Sequence, residues 1–164
     1  MNGAAGRKAQ ARPDETEAER ADRNFTELLQ ELRVAQTGVQ ILFAFLLTLP
    51  FTNRFDLISQ SERVIYLITL LAAAMSSALL IAPVALHRWT FRMGMKEAIV
   101  GLSDRLALSG LGFMVIALVG ALFLIVDVVA GRATAVVLTG AAAAVFVLLW
   151  GVVPLRYRAA SRDD

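Results

Sequence analysis

The sequence predicts an all-α integral membrane protein, a bundle of four membrane-spanning helices. Four stretches carry no charged residue, at 34–53, 64–86, 106–126 and 133–155, and they hold 20, 23, 21 and 23 residues. A helix rises about 1.5 Å per residue, so about 20 residues cross the ~30 Å hydrocarbon core of a bilayer. In each stretch apolar residues occupy every side of the predicted helix, whereas a helix of a soluble bundle carries charges on the face opposite the core. A content of 57% apolar residues among 164 agrees with the membrane interpretation.

Lysine and arginine are distributed unevenly between the two sides of the predicted spans. The N-terminal segment holds six, the second loop four and the C-terminal segment three, whereas the first and third loops hold two and one. With four spans, the first three of these segments share a side, which gives 13 basic residues against 3. The positive-inside rule therefore predicts cytoplasmic termini and a multi-pass protein of the plasma membrane. Because orientation accounts for these basic residues, nucleic acid is not an expected partner.

The polar termini predict two tails and a cytoplasmic helix. Residues 1–13 show no pattern and are expected to be disordered, and residues 156–164 form a cytoplasmic tail. From 14 to 33 the apolar residues recur at helical spacing, and Asp14 with Glu17 three residues later resembles a capping box. We expect one amphipathic helix over 14–33 that continues into the first span.

The connections between the first three spans also carry local signals. Pro50 is expected to end the first span, because proline lacks the N–H group that a regular helix requires. Ser59 or Ser61 is expected to cap the second span. The second loop places apolar residues on one helical face, which predicts a cytoplasmic amphipathic helix continuing into span three, with Gly94 or Gly101 as a candidate break. This helix is expected to rest on anionic lipid, and the alternative is a docking face for a protein partner.

The first span carries polar residues along one side of its helix, at spacings of three and four. This polar stripe consists of Arg33, Gln36, Thr37, Gln40 and Thr48. Both glutamines should face the bundle interior, because an amide that faces lipid leaves its hydrogen bonds unmade. The stripe predicts an interhelical hydrogen-bond clamp, and the alternative is a polar vestibule on the path of a solute or ion.

Small residues four apart recur in the second and fourth spans and predict close helix packing. The candidate packing residues are Ser76, Ser77, Ala78, Thr139, Gly140 and Ala143. The first interpretation is packing within one chain, and the alternative is a homo-oligomer formed through one of these faces.

No pattern in the sequence predicts catalysis, a cofactor or a metal site. There is no Gly-rich phosphate loop, no HExxH pair, and no cysteine for a disulfide or a thiolate ligand. The one histidine, His87, is expected to be an interfacial anchor, and Asp127 is expected to pair with Arg132 across the short third loop. The chain is therefore not expected to be an enzyme.

The segment 31–51, ELRVAQTGVQILFAFLLTLPF, resembles an uncharacterised family of small four-helix membrane proteins from actinobacteria. The later segment 82–88, APVALHR, is similar to that family too, and the resemblance covers residues from about 20 to 158. It implies a four-helix fold and an inner-membrane location but no established activity. Some members carry a sodium:proton antiporter label.

Two functional hypotheses follow. The first is a small structural or accessory membrane protein that acts by association, within the lipid bilayer, with a membrane-protein partner or a second copy of itself. The second is transport of a small cation or solute by an oligomer. Antiport needs a group near the membrane midplane that holds either Na⁺ or H⁺, usually a carboxylate. None of the four predicted spans contains Asp, Glu, Lys or Arg, so the first hypothesis is favoured.

Overall fold

A computed structural model describes residues 16–90, 96–154 and 156, and every regular element in these ranges is helical. The long helices are α1 (Glu17–Thr48), α2 (Gln60–Thr90), α3 (Lys96–Ala130) and α4 (Arg132–Val147). Two 3-10 turns, Leu49–Phe51 and Phe55–Leu57, connect α1 to α2, and a π-helical segment, Leu148–Val152, extends α4. With that extension counted in α4, all four helices are long and apolar enough to cross a membrane. The prediction of an all-α protein with four membrane helices is confirmed.

Reciprocal side-chain caps begin α1 and α2. The Thr16 hydroxyl accepts a hydrogen bond from the Glu19 N–H at 3.3 Å, and the Glu19 carboxylate accepts one from the Thr16 N–H at 2.9 Å. Ser59 and Glu62 repeat this arrangement before α2, at 3.3 and 2.6 Å. These bonds satisfy amide groups that have no partner in a first helical turn. Ser59 is thus the cap of α2, whereas Thr16 caps α1 in place of Asp14, which lies outside the described residues.

Proline and glycine end the first and third helices. Pro50 lies in the 3-10 turn that follows α1, as expected of a residue with no N–H. Gly131 has a φ of 83°, a backbone conformation that residues with a side chain rarely adopt. Its N–H donates a hydrogen bond of 3.0 Å to the Asp127 carbonyl. This turn and the α1–α2 connection lie at one end of the bundle, the Gly131 end. The opposite end, where α2 finishes and α3 begins, is the Lys96 end.

The amphipathic helix predicted in the second loop is described only from residue 96 onward, and this part belongs to α3. Helix α3 begins at Lys96 and passes through Gly101 without interruption, so Gly101 is not a break. Gly94 lies outside the described residues, and so do the predicted tails at 1–13 and 156–164, apart from Arg156.

Helices α2 and α3 pack along seams whose buried residues are separated by three, four or seven positions, as in coiled coils. The α2 seam consists of Tyr66, Thr69, Ala73, Ser76, Leu80 and Pro83, and the α3 seam of Ser103, Ala107, Gly110, Ala117, Ala121 and Leu124. Most α3 seam residues are small, which allows the two backbones to approach closely.

Helices α2 and α3 approach each other closely at two glycines. A Cβ atom on Gly110 would lie 2.9 Å from the Leu80 side chain, and one on Gly120 would collide with Oγ1 of Thr69. By contrast, nothing lies within 4 Å of the position that a Cβ would take at Gly112. Any other residue at 110 or 120 would therefore force the facing side chains of α2 to move.

Helices α1 and α4 attach to this pair in different ways. Helix α1 contacts both α2 and α3, and its buried residues Leu32, Val39 and Leu46 recur every seventh position. Among the described residues, the backbone of α4 approaches α3 alone, and Ala135 and Thr139 are its buried residues. The arrangement thus differs from the expected four-helix bundle, because α4 lies beside a three-helix core and does not close it.

Replacing Gly110 or Gly120 with leucine should lower the thermal stability of the protein in mild detergent. Overpacking of this kind costs about 1 to 3 kcal/mol, because the helices must move apart. Gly112→Leu is the matched control in the same helix, and it should melt close to the wild type. Equal melting temperatures for all three variants would show that α3 does not meet α2 through these glycines.

Candidate functional site

The candidate site is the set of polar side chains inside the apolar helices, and Gln36 makes the most informative contact. Its amide Nε2 donates a hydrogen bond of 2.6 Å to the carbonyl of Leu80 in α2. Leu80 lies in the helical turn before Pro83, where the missing proline N–H leaves the Leu79 carbonyl without its usual helical donor. Polar side chains of neighbouring helices commonly supply donors around such prolines in membranes. Gln36 therefore ties α1 to the proline-containing turn of α2.

The other members of the polar stripe do not join Gln36. Thr37 and Thr48 donate to carbonyls of their own helix, at 2.9 and 2.7 Å, and Arg33 is exposed. Gln40 is exposed as well, contrary to the expectation that both glutamines face inward. Successive residues turn by about 100° around a helix, so Gln40 points well away from the buried Val39 beside it. The polar stripe is thus not a single site.

Two further side chains bond across helices to backbone carbonyls. The buried Tyr66 hydroxyl of α2 donates to the Leu46 carbonyl of α1 at 3.0 Å, near the Gly131 end. The buried Ser76 hydroxyl of α2 donates to the Gly110 carbonyl of α3 at 2.8 Å, halfway along the pair. Sequence reasoning did not identify the role of Tyr66, because an aromatic residue near the end of a span is also typical of the membrane interface.

The predicted packing residues are divided by the arrangement of the helices. Ser76 and Thr139 are buried, Ser77 and Ala143 are half-buried, and Ala78 and Gly140 are exposed. The expectation that Ala78 and Gly140 pack against a helix of the same chain is wrong. Gly140 is exposed because, among the described residues, α4 packs against α3 alone and its other faces meet no helix.

Small residues of α3 were missed by the sequence analysis although their spacing was visible. Ser103, Ala107, Gly110 and Ala117 follow one another at intervals of four, three and seven. These residues are buried, and the Ser103 hydroxyl has no hydrogen-bond partner among the described residues. This face does not stand out in the sequence, because large apolar residues occur on every side of α3.

A charged cluster lies at the Gly131 end, outside the apolar interior. The Arg132 guanidinium contacts the Asp127 carboxylate at 3.1 Å, as the short third loop predicted. It also bonds the Ser61 hydroxyl at 3.2 Å and lies 5.4 Å from the centre of the Phe123 ring. Arg132 thereby joins the start of α4 to the end of α3 and the start of α2. In the part of the chain that the structure describes, no three His, Asp or Glu side chains converge as a metal site requires.

Replacing Gln36 with leucine should destabilise the protein by about 1 kcal/mol, because an interhelical hydrogen bond is lost. Gln40→Leu is the matched control, four residues further along the same helix. We expect it to be neutral or stabilising, since it removes an exposed amide from the membrane. Thermal unfolding of both variants in mild detergent measures the difference. A larger loss for Gln40→Leu than for Gln36→Leu would contradict this assignment.

Comparison with known proteins gives one family. Residues 14–154, which include all four membrane helices, match the sequence model of a protein family that is described as a family of unknown function (DUF6328). No curated protein and no solved structure matches the chain. Because the match extends over most of the sequence, the chain belongs to this family of unknown function.

Proposed function

We propose that this chain is a small non-catalytic protein of the plasma membrane that acts by association, as a structural or accessory component. The observation that carries the proposal is that polar side chains inside the membrane form hydrogen bonds between helices. Gln36, Tyr66 and Ser76 each donate to a backbone carbonyl of a neighbouring helix. Groups used in this way hold helices together, and their donors are not free to bind a solute.

The alternative, transport of a small cation or solute, has weaker support. Its motivation was a pair of glutamines on one inward face, but Gln36 is bonded to Leu80 and Gln40 is exposed. Glutamine and threonine do not titrate near neutral pH, so neither side chain couples cation binding to proton release. The charged pair of Asp127 and Arg132 lies at the Gly131 end, far from the midplane where coupling groups lie in transporters.

The proposal places both termini and the Lys96 end in the cytoplasm. It rests on the excess of lysine and arginine in the segments that share this side, 13 against 3. On this orientation, residues 17–33 of α1 and 96–105 of α3, which precede the predicted spans, extend into the cytoplasm and are available to a partner. Exposed charges in these segments include Glu31 of α1 and Asp104 of α3.

Single-cysteine labelling should report this orientation directly, because the chain has no cysteine of its own. Thr52→Cys and Ala130→Cys should react with a membrane-impermeant maleimide added to intact cells. Ala11→Cys and Ala160→Cys should react only after the cells are opened. Labelling of the terminal pair in intact cells would reverse the orientation.

Purification of the tagged chain from native membranes in mild detergent tests the association. We expect a membrane protein to co-purify in a fixed ratio with the wild type, and Glu31→Lys to reduce its recovery. Asp56→Lys is the matched control, since Asp56 is also exposed but lies at the Gly131 end. Recovery of the chain alone from native membranes would contradict the accessory role. Equal losses with both variants would contradict the assignment of the interface to the cytoplasmic helices.

A further inference from the structure

A half-open cavity of about 320 Å³ lies at the Gly131 end, between the α1–α2 connection and the last turns of α3. Its lining includes Leu49 and Phe55 of the α1–α2 connection, Tyr66 of α2, and Leu124 and Val128 of α3. The volume is at the lower end of the ~300 to 1,000 Å³ that small-molecule sites occupy. The cavity is thus large enough for part of a ligand and is lined mainly by apolar side chains.

The aromatic wall of the cavity is held in place by its neighbours. The Phe55 ring packs edge-on against the Tyr66 ring with 5.1 Å between their centres, and the Arg63 guanidinium lies 5.9 Å from the Phe55 centre. The Tyr66 hydroxyl is already bonded to the Leu46 carbonyl. The interior therefore offers apolar surface and little hydrogen bonding, which is the chemistry of a hydrocarbon chain.

Two opposite charges also line the cavity. Arg54 is exposed, and its guanidinium makes no ion pair or hydrogen bond within the described part of the chain. Glu62 is partly buried, and one oxygen of its carboxylate, Oε2, accepts hydrogen bonds from the Ser59 N–H and hydroxyl, both at 2.6 Å. Its other oxygen, Oε1, has no hydrogen bond among the described residues. A ligand with one negative and one positive group beside an apolar chain would match this lining.

The surroundings of the cavity place it at the depth of lipid headgroups. Phe51 and Leu57 lie in the α1–α2 connection and are 89% and 83% exposed, and Val129, which lines the cavity, is 80% exposed. Large apolar side chains in short connections at the end of a membrane helix are stable in the headgroup and acyl boundary rather than in water. The molecules most abundant at that depth are phospholipids.

We propose that this cavity binds a zwitterionic phospholipid with an amine headgroup, of the phosphatidylethanolamine class, from the leaflet at the Gly131 end. One acyl chain lies between Phe55 and Val128, the phosphate contacts the Arg54 guanidinium, and the ammonium group contacts the Glu62 carboxylate. Arginine suits phosphate because its planar fork donates two parallel hydrogen bonds. This binding site is independent of the accessory role proposed above.

Native mass spectrometry of the purified protein, with added palmitoyl-oleoyl phosphatidylethanolamine or the phosphatidylglycerol with the same chains, tests the site. The wild type should bind the phosphatidylethanolamine more tightly, by up to about fivefold, the ratio that one exposed ion pair supplies. Arg54→Gln should weaken the binding of both lipids. Glu62→Gln should remove the preference between them, and it retains a side chain that still accepts the capping bond from Ser59.

Arg105→Gln is the control for the loss of a surface charge in Arg54→Gln, and Val136→Trp is the control for the added bulk of Val128→Trp. Arg105→Gln removes an exposed arginine from the Lys96 end and should change neither affinity. Val128→Trp should fill the cavity and weaken the binding of both lipids, whereas Val136→Trp, at an exposed position of α4, should not. The site is refuted if phosphatidylglycerol binds as tightly as phosphatidylethanolamine to the wild type. It is refuted equally if Arg54→Gln and Val128→Trp bind both lipids like the wild type.

Discussion

Helices α2 and α3 meet where glycine leaves no side chain between them, at Gly110 opposite Leu80 and at Gly120 opposite Thr69. Inside a bilayer the hydrophobic effect does not bring helices together, because lipid chains are as apolar as leucine. Van der Waals contact and interhelical hydrogen bonds must supply the stability, and both depend on a short distance between backbones. The bond from Ser76 to the Gly110 carbonyl forms at the same point and depends on the same approach.

Helices α1 and α4 both pack against the pair formed by α2 and α3. Helix α1 lies against both α2 and α3 and is bonded to α2 at each end, through Gln36 near the Lys96 end and Tyr66 near the Gly131 end. Helix α4 packs on α3, and Arg132 joins its start to the neighbouring helices. In each cross-helix bond within the apolar interior, a side chain donates to a backbone carbonyl. Such bonds suit a fixed helix arrangement, which agrees better with an accessory protein than with a carrier that must rearrange its helices.

The sequence determines the membrane spans more clearly than it determines which faces meet. Charge-free stretches of about 20 residues identify the spans because the cost of burying a charge in lipid is high. Gln40 and Gly140 are predicted from the sequence to lie inside the bundle, and both are exposed. In lipid, the faces that meet helices and the faces that meet acyl chains are both apolar, so periodicity does not separate them as it does in water. Small residues occur in all the spans, and only the neighbouring helix decides whether a glycine such as Gly110 or Gly140 is buried.

Disulfide formation between α2 and α3 measures their approach most directly. The Leu79 Cβ lies 3.2 Å from a Cβ placed on Gly110, and the Thr69 Cβ lies 3.1 Å from one placed on Gly120. Cβ atoms of a disulfide lie about 3.5 to 4.5 Å apart, so the double variants Leu79→Cys/Gly110→Cys and Thr69→Cys/Gly120→Cys should cross-link within one chain under mild oxidation in native membranes. Protection of both thiols from a PEG-maleimide in SDS, in a band of monomer size, is the expected result. The control pair Leu79→Cys/Gly112→Cys should remain reactive, and cross-linking of the control pair alone would contradict the arrangement described for α2 and α3.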